Sequence, residues 1–317
     1  MLPSSQLLDL VSQPSKRDIP ESIEAVGRVL VEKYKNAALG VLFYGSCLRA
    51  GSDQESLVDC YVLVENYRKA YQSRWLALAN RLLPPNVFYL NVPFLDKRIR
   101  VKYAVLSISD FERSVSPRWF HSYFWARFAQ PTVLLIVDSL DVKRKVTQGL
   151  AQAVRTFLEK SLPCMTSSFT AEELWQRGLT LTYGAELRAE PKGRVKTLWG
   201  HDQDYYEQVT RAILMPQPGV SQNEKKDGKV RYTVHYPGRA RLLNRFGWML
   251  RTIQGKVLSV LRLVKAGFTF QGGADYLIWK IERHSGVKIE LTPTQRRYPI
   301  LTGLATFWRL YRQGAFR

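Results

Sequence analysis

The sequence predicts an α+β or α/β fold, in which a mixed sheet with helices precedes a helical region and a basic carboxyl-terminal region. Three observations lead to this prediction. Strand-length apolar runs alternate with helical patterns as far as residue 139. From residue 140 to 238, apolar residues recur mainly at spacings of three and four. From residue 239 to 317 the same spacing accompanies an excess of basic residues, so we predict three domains, 1–139, 140–238 and 239–317.

Composition limits the class of partner. The 317 residues carry a formal net charge of +20, and 45% of them are hydrophobic. This charge predicts a polyanionic partner: a nucleic acid, an anionic membrane, or a nucleotide together with a lipid.

Cys47, Cys60 and Cys164 have neither disulfide-framework nor metal-ligand spacing, which favours a reducing compartment. No apolar run reaches the ~18 residues of a spanning helix, and residues 1–20 lack a signal- or transit-peptide pattern. We therefore expect a protein that is soluble or held on a membrane from outside.

The first predicted domain alternates helices and strands. We expect helices over 20–36, 67–83 and 109–129, and strands that begin near residues 40, 57, 87, 98 and 133. Pro20-Glu21-Ser22 starts the first helix, and Pro84-Pro85 ends the second. A tight turn at Leu95-Asp96-Lys97 joins the third and fourth strands.

The second predicted domain is helical. Its apolar spacing predicts helices over 142–162, 171–188 and 202–214. The polar segment from 216 to 229 predicts a loop.

The third predicted domain carries fifteen basic and three acidic residues from Arg239 to Arg317, a net charge of +12. Its first helix has an apolar stripe, which comprises Phe246, Met249, Leu250, Ile253, Val257, Val260, Leu261, Val264 and Phe268. This stripe is either part of the core or a membrane-binding surface. The last helix, with Leu301, Leu304, Phe307, Trp308 and Tyr311 on one side, favours membrane contact.

Gly45-Ser46 and Asp59 mark the candidate site. A Gly-Ser turn lets a triphosphate approach the backbone closely, because Gly has no Cβ and Ser supplies a hydroxyl donor. Asp59, on the next strand, is suited to Mg²⁺, which binds carboxylate and phosphate oxygens. This arrangement is typical of nucleotidyltransferases, and the alternative is an ordinary tight turn with a strand-end carboxylate. Tyr61 stands where many such enzymes have a second aspartate, and Glu65 is either a further metal ligand or a surface carboxylate.

Lys102, Arg127 and Arg188 are candidate phosphate-binding residues. Lys102 lies in an apolar strand, where an uncompensated buried charge is costly, so it faces a cleft or an anion, or else lies on an exposed face. In a cleft it would stabilise charge on an α-phosphate or on departing pyrophosphate. The two arginines suit bidentate binding of a phosphate, or they pair with structural acids.

Six stretches, in the same order along residues 40–270, carry the motifs of a known family. They are 43–46 together with 57–59, then 89–91, 101–107, 123–131, 182–188 and 265–269. Together they resemble the mitochondrial-type phosphatidate cytidylyltransferases, the translocator assembly and maintenance family. Phe43-Tyr44-Gly45-Ser46 is similar to its Tyr-Gly-Ser turn, for example, and residues 265–269 to its Lys-Gly-(Ile/Val)-Phe-Thr. Ala104, Ala126 and Glu186 depart mildly from the pattern, and residues after about 285 have no counterpart.

The resemblance implies a reaction and its participants. The family transfers CMP from CTP to phosphatidic acid with Mg²⁺, and it forms CDP-diacylglycerol and pyrophosphate. For this chain it implies Asp59 and Lys102 as catalytic residues and Asp59 at the metal. Glu65 lies outside the six stretches and is expected at the metal only from its place at the end of the same strand. The resemblance also implies nucleotide contacts from Tyr44, Gly45, Ser46, Asn91 and Tyr183, and phosphatidic acid contacts from Arg127 and Arg188. The expected location is peripheral, on the cytoplasmic face of a bacterial inner membrane or, alternatively, on the matrix face of the mitochondrial inner membrane.

Two other classes of function also fit the basic charge. One is a nucleotidyltransferase acting on RNA or a small molecule, and the other is a non-catalytic nucleic-acid-binding protein. Binding to single-stranded RNA predicts a basic groove with stacking aromatic residues. The basic residues here instead accompany amphipathic helices, so nucleic acid is the less favoured partner. The pattern does not predict an oligomeric state.

Overall fold

The structure is a computed structural model that describes residues 3–50, 57–187, 193–217, 219–224 and 230–269. Its helices are α1 (Ser5–Ser12), α2 (Glu21–Tyr34), α3 (Ser46–Ala50), α4 (Tyr67–Ala70), α5 (Arg74–Leu82), α6 (Ile108–Val115), α7 (Tyr123–Phe128), α8 (Leu140–Ser161), α9 (Ala171–Gly184), α10 (Arg194–His201), α11 (Gln203–Leu214) and α12 (Gly238–Thr269). Its strands are β1 (Ala38–Tyr44), β2 (Val58–Val64), β3 (Asn86–Phe94), β4 (Lys97–Ser107), β5 (Thr132–Val137), β6 (Ser168–Thr170), β7 (Ser221–Glu224) and β8 (Val230–Thr233). The predicted mixed fold is confirmed.

A five-stranded mixed sheet with the order β3-β4-β2-β1-β5 forms the centre of the fold. β2 and β4 are parallel, and the other neighbours are antiparallel. The register places Tyr44 opposite Asp59, Asp59 opposite Lys102, and Lys102 opposite Tyr89. Side chains directly opposite one another share a face of the sheet, so these four residues form a row on one face.

Hydrophobic cores cover both faces of this sheet. On the face opposite the row, α2 packs through Ile23, Val26 and Leu30. On the same face as the row, the helices α6 to α9 and α11 form a larger core. In that core the Phe157 ring stacks on Trp175 with the centroids 4.4 Å apart, and the Tyr61 ring lies 4.9 Å from Phe128. The core therefore continues across residues 139 and 140, where the sequence predicted a domain boundary.

Two predicted helices are each divided. The segment 67–83 forms α4 and α5, and the Ser73 hydroxyl caps α5 by accepting from the Leu76 amide at 3.4 Å. The segment 109–129 forms α6 and α7, with Pro117 between them. Because proline lacks the amide proton that continues a helix, a break at this point is expected.

Part of the predicted loop at 216–229 is a strand. β7 pairs with β8, and β8 pairs with β6, in a small antiparallel sheet. The Phe169 and Tyr232 rings of this sheet lie 6.3 Å apart and are both buried. β7 is polar throughout, so no alternation of apolar residues marks it in the sequence.

α12 packs on the rest of the protein through a polar and small-residue face. The Trp248 indole donates to the Lys160 carbonyl at 3.0 Å, and Arg251 Nε donates to the Phe120 carbonyl at 2.9 Å. A Cβ on Gly255 would lie only 2.1 Å from the Ala185 carbonyl oxygen, so the helix touches the chain after α9 directly. The nine residues of the predicted apolar stripe are all exposed. The core interpretation of that stripe is therefore wrong.

Residues 270–317, which include the last predicted helix, lie outside the described residues. None of the helices that are described has the length and apolar character needed to cross a bilayer.

Candidate functional site

A cleft of about 640 Å³ opens beside the row of residues on the sheet. Its walls come from the end of β1, from β2 and β4, from α7, from the chain after α9, and from one face of α12. The residues that line it include Tyr44, Gly45, Ser46, Arg49, Asp59, Lys102, Tyr123, Arg127, Tyr183, Glu186, Leu187, Ser259, Arg262, Leu263 and Ala266. The structure thus brings together most of the site residues that the sequence predicted.

The Gly45 turn is built for close approach to Asp59. Gly45 has φ +95°, a conformation that residues with a side chain rarely adopt. A Cβ at this position would lie 3.0 Å from Asp59 Oδ2 and 3.3 Å from Asp59 Cβ. The absence of a side chain therefore keeps the space in front of the carboxylate open. Ser46 follows at the start of α3 with an exposed side chain, so its hydroxyl is accessible in the same place.

Lys102 faces the cleft from β4, beside Asp59. Its Nζ lies 4.0 Å from Asp59 Oδ1, and the two side chains are 37% and 23% exposed. This distance is an ionic contact, and both groups also reach solvent. The alternative that Lys102 lies on an exposed face away from any cleft is therefore wrong. The pair thus places a positive and a negative charge side by side in the lining of the cleft.

Arg127 is fixed against Tyr123 and Glu186. Its Nη1 donates to the Tyr123 carbonyl at 3.2 Å, its Nη2 lies 3.8 Å from Glu186 Oε2, and its guanidinium stacks 4.1 Å from the centre of the Tyr123 ring. Burial by itself lowers the pKa of Arg127, but Tyr123, Tyr61 and Glu186 raise it above the ordinary value. Burial raises the pKa of Tyr123, but Arg127 and Arg262 lower it below the ordinary value. Arg127 is thus a rigid cation in the cleft wall.

Arg49 and Arg262 line the cleft but were not predicted from the sequence. Arg262 Nε donates to the Pro84 carbonyl at 3.0 Å, and its guanidinium lies 4.2 Å from the centre of the Tyr123 ring. Among the cleft-lining residues, four basic side chains accompany two acidic ones. One signal for Arg262 existed in the sequence. Lys265 belongs to the last of the six stretches, and Arg262 lies three residues before it. Because residues three apart share a helix face, Arg262 was a candidate neighbour of that stretch.

Two predicted site residues are not part of this cleft, and a third lies outside the described residues. Asn91 is not among the residues that line the cleft. It is exposed on β3, where its Oδ1 accepts from the Tyr89 hydroxyl at 3.0 Å. Glu65 follows the far end of β2, roughly 20 Å along the strand from Asp59, and it pairs with Lys69 at 2.7 Å. The expectation that Glu65 and Asp59 share a metal is therefore wrong. Arg188 lies outside the described residues.

A Mg²⁺ ion fits this cleft through Asp59. Among the described residues, no three His, Cys, Asp or Glu side chains lie together as a metal-binding group. Magnesium is usually bound by one or two carboxylates together with substrate phosphates and waters. Asp59 Oδ2 borders the space that Gly45 leaves open, which suits an ion that arrives with a triphosphate.

A second cleft, of about 860 Å³, lies between α4, α5 and the end of β4. Its acidic group, Asp110, already accepts from the Tyr67 hydroxyl at 2.5 Å and pairs with Arg113 at 2.6 Å. Among the described residues that line this cleft, no carboxylate faces an open turn, so the first cleft is the better candidate for a functional site.

No known family model matches this chain, and no curated protein matches it significantly. Function is therefore inferred from the residues of the cleft and from the short motifs described above.

Proposed function

We propose that this chain is a phosphatidate cytidylyltransferase, which transfers CMP from CTP to phosphatidic acid with Mg²⁺ and releases pyrophosphate. One observation carries the proposal. Of the six motif stretches, five contribute residues to the cleft although they are spread over more than 200 residues of sequence, among them Gly45, Lys102, Arg127, Glu186 and Ala266. An accidental set of short similarities has no reason to converge on one cavity.

The residues suggest how the reaction proceeds. Gly45 and Ser46 would receive the triphosphate, and Asp59 would hold a magnesium ion, which supplies positive charge to the phosphates. An oxygen of the lipid phosphate attacks the α-phosphorus of CTP, and the bond from that phosphorus to the pyrophosphate oxygen breaks. Lys102 is placed to stabilise the negative charge that shifts to the leaving group.

A general base is not required in this scheme. The attacking phosphate is already anionic at neutral pH, so catalysis consists mainly of holding two anions together in the correct orientation. The excess of basic side chains in the cleft lowers the repulsion between them. Tyr183, at the end of α9, lines the same cleft, where it would contact the base or ribose of CTP.

A peripheral position on an anionic membrane is part of the proposal. The exposed apolar stripe of α12 and the net charge of +20 support it, because apolar side chains and basic residues both strengthen binding to such surfaces. We place the protein on the cytoplasmic face of a bacterial inner membrane, with the matrix face of the mitochondrial inner membrane as the alternative.

The test is to incubate purified protein with CTP labelled at the α-phosphate, Mg²⁺ and phosphatidic acid in detergent. The expected result is labelled CDP-diacylglycerol together with an equal amount of pyrophosphate. Parallel reactions replace the lipid with RNA and CTP with the other nucleoside triphosphates. Label transferred to RNA, with none in the lipid, would favour the RNA-directed alternative and overturn the proposal.

A further inference from the structure

Arg262 differs from Arg127 and Lys102 of the cleft because no acidic side chain among the described residues lies within ion-pair distance of it. Arg127 lies 3.8 Å from Glu186, and Lys102 lies 4.0 Å from Asp59. For Arg262, no ion pair within 4.0 Å is found among the described residues, and its buried Nη1 has no hydrogen-bond partner there. A buried donor without a partner costs free energy. Such a donor in the wall of a cleft is best explained by a ligand that it binds.

The contacts of Arg262 hold its guanidinium in one orientation. Nε donates to the Pro84 carbonyl at 3.0 Å, and the guanidinium plane packs on the Tyr123 ring. Both interactions fix the side chain without using the Nη1 donor. A guanidinium that is held in this way is well suited to bind a phosphate, because little freedom is lost when the ligand arrives.

The surroundings of Arg262 are apolar on one side. On α12, Leu263 and Ala266 also line the cleft, and so does Leu187, whose amide donates to the Ser259 hydroxyl of α12 at 3.4 Å. Leu187 and Leu263 are 56% and 74% exposed, so this wall continues out of the cleft onto the apolar stripe of α12. By contrast, the lining that Gly45, Asp59 and Lys102 contribute to the same cleft is polar. The cleft thus joins a triphosphate-type site to an apolar exit.

We propose that Arg262 binds the phosphate of the acceptor, and that the apolar tail of that acceptor leaves the cleft over Leu187 and Leu263 along α12. The acceptor class is a phosphomonoester that carries an acyl chain. This inference rests on the proposed function for the identity of the reaction, but the binding that it describes can be measured without turnover. It also explains why α12 presents polar residues to the protein and apolar residues outward.

The test uses dioctanoyl phosphatidate, which is a short-chain lipid, and the variant Arg262→Gln. The expected result is at least a tenfold weaker affinity for this lipid by calorimetry, and at least a tenfold higher KM for it, with KM for CTP changed less than twofold. Glycerol 3-phosphate, which has the phosphate without chains, should bind more weakly than the lipid to the wild type. Leu263→Gln should reduce that difference.

Two variants serve as controls. Arg245→Gln removes the same charge from an exposed position of α12 outside the cleft, and it should leave both affinities unchanged. Lys265→Met removes two other hydrogen bonds that hold α12 against the protein. Lys265 Nζ donates to the Leu83 carbonyl and, at 2.7 Å, to the Pro85 carbonyl. Lys265 is not among the residues that line the cleft. If Lys265→Met reproduces the loss of lipid affinity, Arg262 acts only by holding the helix, and the inference is overturned. Melting temperatures of all variants identify any that fail to fold.

The two proposals fail in different ways. If the wild type forms CDP-diacylglycerol but Arg262→Gln binds the lipid as well as the wild type, the inference about Arg262 is wrong and the function stands. If Arg262→Gln instead loses affinity for CTP, Arg262 belongs to the nucleotide site and the inference is again wrong. If the wild type binds the lipid through Arg262 but forms no CDP-diacylglycerol, the acceptor site stands and the proposed reaction fails.

Discussion

Replacing Gly45 with alanine tests whether the open turn is what makes the cleft functional. At φ +95° an alanine pays roughly 1–2 kcal/mol of backbone strain. Its Cβ would also lie 3.0 Å from Asp59 Oδ2, so the carboxylate must move by a few tenths of an ångström. We therefore expect the melting temperature to fall by a few degrees, as about 1–2 kcal/mol implies for a chain of this size.

The effect on turnover should be larger than the effect on stability. The added methyl group occupies the space that a triphosphate would enter, and a displacement of about 1 Å at a reacting centre can cost ~100-fold in rate. We expect CTP-dependent turnover of Gly45→Ala to fall between about 10- and 100-fold, measured at 20 °C, where the variant is still folded. Raising the Mg²⁺ concentration should restore little of the loss, because the obstacle is steric.

Gly200→Ala is the matched control for this prediction. A Cβ at Gly200 meets no atom within 4 Å, and no positive φ is found there. It should therefore leave turnover and melting temperature close to the wild-type values. Wild-type turnover in Gly45→Ala, with the melting temperature reduced as expected, would show that the nucleotide does not approach this turn.

Three further predictions concern the protein outside the turn. Burial, with help from Arg262 and Arg127, lowers the pKa of His121 to about 3, against ~6.5 in the unfolded chain. The unfolded state therefore binds a proton below pH 6.5 that the native state does not, so stability falls as the pH drops from 6.5 towards 3. Urea unfolding should show about 1.4 kcal/mol less stability from this group at pH 5.5 than at pH 7.5, and the difference should shrink in His121→Phe. Ile253→Asp combined with Val257→Asp, at exposed positions of α12, should weaken flotation with phosphatidate-rich vesicles without changing the melting temperature. Gly255→Ala should lower the melting temperature, because its Cβ would lie 2.1 Å from the Ala185 carbonyl oxygen.

Each of these predictions has an outcome that contradicts it. An unchanged pH dependence in His121→Phe would mean that the imidazole is protonated in the native state. Vesicle binding that survives both aspartates, or that does not weaken in 1 M salt where the Debye length is ~3 Å, would place the membrane-binding surface elsewhere. For the helix contact, Gly247→Ala is the control, since only the flexible tip of Arg251 lies within 4 Å of its Cβ. Equal melting temperatures for the two glycine variants would argue against the close packing of α12.

The polar core of the site could be predicted from local sequence. Gly45, Asp59 and Lys102 stand at the ends or in the middle of strongly apolar strands, and such exceptions to a pattern are visible without a structure. The register then brings Asp59 and Lys102 side by side. Because a strand alternates with a period of two, it is also clear that residues 59, 61 and 65 share a face. Sharing a face does not bring two residues together, because six residues at ~3.3 Å each separate Glu65 from Asp59 along the strand. Glu65 was assigned to the metal without this count.

Which face of α12 packs on the protein could not be predicted, because helical periodicity finds a stripe without saying which face is buried. Packing in soluble helices usually buries the apolar face. Here Gly255 permits close contact with the backbone, and Arg251 and Arg262 donate to carbonyls on other elements, so the polar face is the buried one. These partners lie more than 60 residues away in sequence, and no local pattern reveals them. Arg49 is different, because it lies only three residues after Ser46 in α3, so its place beside the Gly45 turn was accessible from local sequence.

The most direct test of the central claim compares the wild type with Asp59→Asn in the transfer of label from α-labelled CTP to phosphatidic acid. The substitution keeps the shape of the side chain and removes the charge beside the Gly45 turn. The account predicts Mg²⁺-dependent labelling of the lipid by the wild type, a loss of at least 100-fold in Asp59→Asn, and little change in melting temperature, since the carboxylate is part of an open cleft. Labelling of the lipid by Asp59→Asn at the wild-type rate would contradict the account.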